Sequence, residues 1–119
     1  MITHVVMLKF KPETGEEEIR GLEALLDDLP NRIDEIRMYE FGRDVVRSPR
    51  SYDFALVSLF ANRPALERYQ SHPAHQPVLE KIKAVCAEVI TVDFQGSDAG
   101  ALTAGPPEWE RDPLARTRL

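Results

Sequence analysis

The segment from residue 2 to residue 10 is apolar on both faces if it forms a β-strand. It is rich in β-branched side chains, which favours a strand, and successive side chains of a strand point to opposite sides. One side carries Ile2, His4, Val6, Leu8 and Phe10. The other side carries Thr3, Val5, Met7 and Lys9. A strand that is apolar on both faces must be packed against other parts of the protein on both sides of its sheet. We therefore expect helices on the even-numbered side and the sheet of a second copy on the other, which makes a homodimer.

The spacing of apolar residues predicts a helix after this strand. Leucine and isoleucine recur three or four residues apart, which places them on one side of a helix. These residues are Ile19, Leu22, Leu25, Leu26 and Leu29. The segment Thr14-Gly-Glu-Glu17 matches a capping box, which favours a helix start with Thr14 as the cap. Pro30 is expected to end the helix.

The rest of the chain follows the order of a ferredoxin-like fold. Further strands are predicted at residues 36–46, 52–60 and 88–95. Two helical segments precede the last strand. Asn62 is suited to cap the first of them, Pro73 ends it, and the second covers residues 75–86 with Leu79 facing inward. The order β-α-β-β-α-β is that of an α+β domain with an antiparallel sheet and helices on one face.

We expect residues 1–95 to form this domain and residues 96–119 to form a C-terminal tail. The tail is rich in Gly and Pro and has few large apolar side chains, so it is not expected to build a core of its own. Trp109 is the residue of this segment with enough apolar surface to anchor it. We predict that Trp109 packs on its own subunit or on the partner.

Charge and cysteine content argue against several classes of function. Lys and Arg number 15 against 20 Asp and Glu, a net charge of −5, so the basic surface that nucleic-acid binding requires is not expected. The single cysteine, Cys86, permits no intrachain disulfide, and its place on the inner side of the last helix predicts an inert core thiol. No apolar run reaches the length of a membrane span, and the N-terminus lacks a signal-peptide pattern. We expect a cytoplasmic protein without a nucleic-acid or membrane partner.

Three histidines and one tyrosine are the candidates for chemistry. Tyr69, His72 and His75 lie at the predicted break between two helices, and His4 lies on the helix-facing side of the first strand. In this topology the second helical region packs across the sheet, so His4, Tyr69 and His75 are expected to meet. We predict an apolar chamber around them, which is the usual form of a small-molecule site. Its predicted walls are Val6, Leu8, Leu22, Phe54 and Ile82.

These residue types suit acid–base catalysis without a cofactor. A histidine with a pKa of about 6.5 can act as a base at neutral pH, and a tyrosine hydroxyl can donate a hydrogen bond to an enolate oxygen. Two other interpretations stay open. His4 can be an ordinary core residue, with Pro73 serving only to separate two helices. The histidines can also be counted as metal ligands, but Pro73 splits the pair His72 and His75 and the His-Glu-x-x-His pattern of zinc enzymes is absent, so we expect no metal.

Four features of the sequence carry a family resemblance. They are the opening strand at residues 2–10, Gly42, the strand at residues 52–60 and, most specifically, residues 66–75 with the pattern Tyr-x-x-His-Pro-x-His. In these features the chain resembles the stress-responsive α/β-barrel (Dabb) domain family, over residues 1–95. The resemblance implies a ferredoxin-like α+β barrel that dimerises through its sheets.

The family includes olivetolic acid cyclase, a plant polyketide cyclase that closes a linear polyketide by aldol chemistry without a metal or an organic cofactor. Its histidine base and assisting tyrosine imply those roles here for His75 and Tyr69, and His4 matches a pocket histidine. His72 matches the other histidine of the motif. The resemblance implies that His72 orients the bend, and we count it among the substrate-binding residues.

Three kinds of function are compatible with these residues. The first is a cofactor-free acid–base enzyme acting on an enolisable carbonyl compound, such as a polyketide cyclase or an isomerase. The second is a stress-responsive protein that binds a small molecule without transforming it. The third is a cofactor-independent monooxygenase of the dimeric α+β barrel type. The two histidines and the tyrosine in one chamber favour the first.

Overall fold

Four strands and three α-helices account for most of residues 1–96, which are the residues that the computed structural model describes. The strands are β1 (Ile2–Phe10), β2 (Met38–Arg43), β3 (Phe54–Phe60) and β4 (Cys86–Gln95). The helices are α1 (Glu16–Arg32), α2 (Arg63–Ser71) and α3 (Gln76–Val85), with a 3₁₀ turn at Pro73–His75. The predicted packing of the tail through Trp109 lies outside the described residues.

The four strands form one antiparallel sheet in the order β2-β3-β1-β4. β1 lies in the middle, and its Val6 pairs with Leu56 of β3 on one side and Thr91 of β4 on the other. The predicted ferredoxin-like α+β fold is therefore confirmed. β2 and β3 are shorter than predicted. The Asp44 N–H still donates to the Asp53 carbonyl at 2.9 Å, but beyond this pair Val45 and Val46 are exposed in the loop that joins the strands.

The alternation of β1 decides which side of the sheet faces the helices. Its even-numbered residues from Ile2 to Leu8 are buried, as are the even-numbered residues of β3 from Phe54 to Phe60. The odd-numbered residues are more exposed. The core lies between the even-numbered face and α1, α2 and α3. None of the helices in residues 1–96 is both long and apolar enough to cross a bilayer.

Helix α1 starts and ends differently from its prediction. Its N-cap is Gly15 and no side chain caps it, because the Thr14 hydroxyl donates a hydrogen bond of 2.8 Å to the Val85 carbonyl instead. Thr14 thus ties the start of α1 to the end of α3. Pro30 lies inside α1, which continues to Arg32. Pro30 removes one backbone donor, but the Ile33 N–H still donates to the Leu29 carbonyl at 2.9 Å, and burial of Leu29 and Ile33 in the core holds this last turn.

Helix α2 begins as predicted, and α3 ends at Val85, one residue before its predicted end. The Asn62 side chain accepts a hydrogen bond of 2.9 Å from the Ala65 N–H. Cys86 is buried, but as the first residue of β4 rather than the last of a helix. Burial raises the pKa of its thiol to about 11, which agrees with an unreactive core residue. Leu79, predicted to face inward, is 42% exposed because it lies at the open edge of a cavity rather than in the core.

Candidate functional site

A cavity of about 260 Å³ lies between the helix-facing side of the sheet and the helical region from α2 to α3. Most of its lining is apolar, with a few polar side chains that point into the same space. The lining residues are His4, Val6, Leu56, Tyr69, Gln70, His75, Val78, Leu79, Ile82, Val89 and Thr91. An apolar chamber with a few converging polar groups is the arrangement expected of a small-molecule site.

The break between α2 and α3 brings Tyr69 and His75 together. Helix α2 ends at Ser71, and the His72 imidazole accepts a hydrogen bond of 3.0 Å at Nδ1 from the Ala74 N–H, which fixes the 3₁₀ turn. The turn returns the chain toward the last turn of α2. The ring centroids of Tyr69 and His75 lie 4.3 Å apart with an angle of 41° between the planes. Both side chains are buried.

The surroundings of His75 favour a neutral imidazole with a free lone pair. Its Nδ1 donates a hydrogen bond of 3.3 Å to the Gln70 carbonyl, because a carbonyl oxygen can only accept. In the neutral ring Nε2 then carries the lone pair. Burial lowers the pKa of His75, and the nearby His4 and His72 act in the same direction, against the opposing effect of the Gln70 hydrogen bond. Near pH 7 this histidine is an unprotonated base.

Tyr69 stays protonated over the whole neutral range. Burial raises the pKa of its hydroxyl to about 12. The hydroxyl lies 3.0 Å from that of Tyr39 in β2, and burial also raises the pKa of Tyr39 well above its ordinary value. The sequence contains no local signal for Tyr39, because its contact with Tyr69 depends on how β2 pairs with β3.

His4 projects from the middle of β1 toward the same cavity. Its ring is buried and lies edge-on to Tyr69, with centroids 6.2 Å apart. Its Nδ1 is hydrogen-bonded to the carboxylate of Asp93, which faces it directly across the β1–β4 pairing. Asp93 was also missed from the sequence. The available signal was the alternation of β4, where Thr91 and Asp93 are polar while their neighbours in the strand are apolar.

The walls of the cavity differ from the predicted ones. Val6 and Ile82 line it, as expected, whereas Leu8, Leu22 and Phe54 lie in the core away from it. The Phe54 ring stacks on Phe41 at 5.9 Å and meets Phe10 edge-on at 6.0 Å, so aromatic packing fills the space at that end of the sheet. The cavity opens instead toward β4.

His72 lies outside the lining of the cavity and acts on the backbone. Its Nδ1 accepts the hydrogen bond of the Ala74 N–H in the turn before His75, and His72 is not among the residues that line this cavity. Within residues 1–96 no three His, Cys, Asp or Glu side chains are grouped as a metal site requires. His4, His72 and His75 are thus not arranged as a ligand set.

A second, more polar cavity of about 500 Å³ adjoins the first. Gln70 lines both cavities. The carboxylate that holds His4 belongs to the second, since Asp93 lines it together with Arg63 and Glu67. The His4–Asp93 pair therefore lies between the apolar cavity and the more polar one.

Known proteins were compared with this chain. Residues 2–95 match the Stress responsive A/B Barrel Domain family, Dabb. An uncharacterised protein of Streptomyces coelicolor, SCO4036, is 38% identical over 79 residues, which are 64% of this chain and 80% of that protein. A dimeric ferredoxin-like protein of unknown function from Thermobifida fusca superposes with a TM-score of 0.74 at 27% identity, covering 80% of this chain and 90% of that one.

A hydroxynitrile lyase from Passiflora edulis also superposes with a TM-score of 0.74, over 82% of this chain and 94% of that one. At 15% identity this likeness extends to the fold alone. The family match spans every element of the sheet and all three helices, and it includes the residues of the cavity. The chain belongs to the stress responsive A/B barrel domain family.

Proposed function

We propose that this protein is a cofactor-free acid–base enzyme acting on an enolisable carbonyl compound with an apolar body. One observation carries the proposal. In a mainly apolar cavity, a buried neutral histidine lies with its ring 4.3 Å from that of a protonated tyrosine. A base and a hydrogen-bond donor side by side are what enolisation requires, since a proton leaves carbon while negative charge develops on oxygen.

The proton transfer starts at His75. The lone pair of Nε2 takes a proton from the carbon next to the carbonyl, and the electrons of the broken C–H bond move through that carbon to the carbonyl oxygen. The Tyr69 hydroxyl donates a hydrogen bond to the enolate oxygen that results. Neither step needs a metal or an organic cofactor, because the imidazole holds the proton and the phenol stabilises the charge.

His4 is suited to fix the orientation of the substrate. Asp93 engages Nδ1 of His4 and so holds the imidazole with Nε2 free to accept a hydrogen bond from a hydroxyl group of the substrate. The apolar lining, which includes Val6, Leu56 and Val78, holds the hydrocarbon part of the molecule. The substrate class is thus a ketone or ketoester with an apolar chain and a second oxygen.

The enolate carbon has two routes onward. It can attack a second carbonyl carbon of the same molecule, which is the aldol ring closure that the resemblance to olivetolic acid cyclase implies. Alternatively, in a ketone with a carbon–carbon double bond next to the deprotonated carbon, the charge extends to the far end of that double bond, and His75 returns the proton there, which is an isomerisation. Both routes share the first proton transfer, so a test of that transfer does not depend on knowing the natural substrate.

Deuterium exchange tests the proposal. Alkyl ketones of graded chain length, with 2-octanone among them, are incubated with the protein in D₂O, and NMR follows the loss of the protons next to the carbonyl. The native protein should accelerate this exchange above the buffer rate, and H75A should lose at least ~100-fold of the acceleration. Y52F is the control, because Tyr52 lies outside the cavity, and it should leave the exchange rate as in the native protein. Tight binding of the ketones without exchange would make the protein a binding module.

We also propose that the protein forms a homodimer through the face of the sheet that the helices leave free. Four apolar side chains on that face are exposed. They are Met7 at 37%, Ile90 at 41%, Val92 at 51% and Phe94 at 49%. The pairing of Met7 with Ile90 and of Val5 with Val92 places them in one patch, and a patch of this kind marks an interaction surface. The Thermobifida fusca protein is dimeric, which supports a dimer here as well.

A further inference from the structure

A row of four polar residues crosses the helix-facing side of the sheet, one from each strand. Tyr39 of β2 pairs with Ser58 of β3, Ser58 pairs with His4 of β1, and His4 pairs with Asp93 of β4. Residues that pair directly across neighbouring strands point to the same side. The row therefore runs beneath Tyr69. His4 and Asp93 already serve the proposed reaction, whereas Tyr39 and Ser58 have no role in it so far.

The hydrogen bond between the hydroxyls of Tyr39 and Tyr69 takes one direction when a ligand binds. The two hydroxyl oxygens lie 3.0 Å apart, and no other hydrogen-bond partner of the Tyr39 hydroxyl is found in residues 1–96. The hydroxyl of Ser58, its polar neighbour in the row, is buried without a partner, so Tyr39 does not bond to it. A buried hydroxyl proton needs an acceptor, and Tyr69 is 1% exposed whereas Tyr39 is partly buried. Either hydroxyl can therefore donate before a ligand binds. Once a ligand oxygen accepts the proton of Tyr69, Tyr39 donates to the oxygen of Tyr69.

A ligand oxygen in the cavity selects this direction, because it accepts the proton of Tyr69. Tyr69 lines the cavity and Tyr39 does not, so only Tyr69 can reach a bound molecule. A hydroxyl that accepts one hydrogen bond becomes a stronger donor of its own, because the two bonds polarise each other. The chain of donors runs from Tyr39 to Tyr69 and then to an oxygen in the cavity.

We infer that Tyr39 is a positioning residue that turns Tyr69 into a directed donor for an oxygen anion, so that the cavity prefers ligands carrying an enolate or phenolate oxygen over neutral ligands of the same shape. The inference rests on the proposed function, because it requires that ligands enter this cavity. The preference of the cavity for an anionic ligand depends on the hydroxyl of Tyr39. Packing of the Tyr39 ring alone cannot produce it.

Two probes of similar shape separate charge preference from fit. One is 4-nitrophenolate, measured at a pH above the ionisation of the free phenol, and the other is nitrobenzene, which lacks the anionic oxygen. Dissociation constants of both are measured by calorimetry for the native protein and for Y39F. We expect Y39F to weaken binding of the anion about 5- to 20-fold while the affinity for nitrobenzene stays within about twofold. An unchanged affinity for nitrobenzene shows that the cavity of Y39F is intact.

Y52F is the matched control, because it also removes one tyrosine hydroxyl but at a position outside the cavity. It should leave both affinities as in the native protein. If Y69F weakens the anion and Y39F does not, the inference is overturned while the proposed function stands. If the native protein binds the anion no better than nitrobenzene, the inference is likewise overturned, and the ketone exchange decides the proposed function separately.

Discussion

The ring of His75 lies against the ring of Tyr69, with centroids 4.3 Å apart, although the two residues are six positions apart in the sequence. In an uninterrupted helix, residues six apart differ in direction by about 240°, so they would point to different sides. The interruption at His72 and Pro73 removes this obstacle by replacing the helix with a 3₁₀ turn. The break in the helix therefore creates the site.

Replacement of the two proposed catalytic residues, Tyr69 and His75, should have different effects on the exchange rate and on ketone affinity. Y69F removes the donor to the enolate oxygen but keeps the ring, so we expect about a 10- to 100-fold slower ketone exchange with nearly native ketone affinity. H75A removes the base and should cost at least ~100-fold. Exchange rates and dissociation constants of the same ketone measure both effects. Equal losses of affinity in the two variants would indicate that both residues only bind.

Asp93 should act through His4. D93A leaves Nδ1 of His4 without its carboxylate acceptor, so the imidazole loses its fixed orientation and we expect about a tenfold slower exchange. Proton–nitrogen NMR spectra of the His4 ring give an independent readout. The native protein should carry a proton on Nδ1, and D93A should show a mixture of tautomers.

E88Q is the control for the loss of an acidic group on β4, because Glu88 lies near Lys9 at the surface and away from the cavity. It should leave both the rate and the His4 spectrum unchanged. A His4 spectrum that D93A does not alter would contradict the positioning role of Asp93.

Removal of metal ions should have no effect on the exchange reaction. The proposed proton transfer uses only the imidazole of His75 and the hydroxyl of Tyr69. We therefore expect the same rate before and after dialysis against EDTA. Loss of activity that added zinc restores would instead assign the chemistry to a metal ion and overturn the acid–base account.

The exposed apolar face of the sheet should control the oligomeric state. Light scattering of the native protein should give about 27 kDa, twice the chain mass of 13.5 kDa. V92D places a charge in the middle of the patch and should shift the protein toward the monomer. V45D is the control, since Val45 is 89% exposed in the loop between β2 and β3. A native protein that is monomeric at micromolar concentration would contradict the proposed dimer.

The sequence determines this fold well because its signals are local. The two-residue period of β1 identifies the buried side of the sheet, and Asn62 marks the start of α2. Pro30 misleads because tertiary burial of Leu29 and Ile33 on either side of it outweighs the local cost of a proline in the helix. Thr14 misleads because a tertiary bond to Val85 competes with the local cap.

The candidate site was only partly predictable, because some of its contacts join residues that are far apart in the sequence. Tyr69 and His75 are close in sequence, so the motif places them together. Tyr39 is 30 residues from its partner Tyr69, and Asp93 is 89 residues from His4. These contacts depend on strand register, and a shift of one residue would turn each side chain to the other face of the sheet. No local pattern contains that information.

The pH dependence of ketone exchange is the most direct test of the central claim, that His75 is a neutral base in an apolar cavity. Only the unprotonated imidazole can take a proton, so the rate above buffer should rise with pH and level off once His75 is neutral. Because burial lowers the pKa of His75, the midpoint should lie below about 6.5, and the plateau should persist through neutral pH because Tyr69 keeps its proton. A rate that falls with rising pH across this range, or the same rise in H75A, would contradict the account.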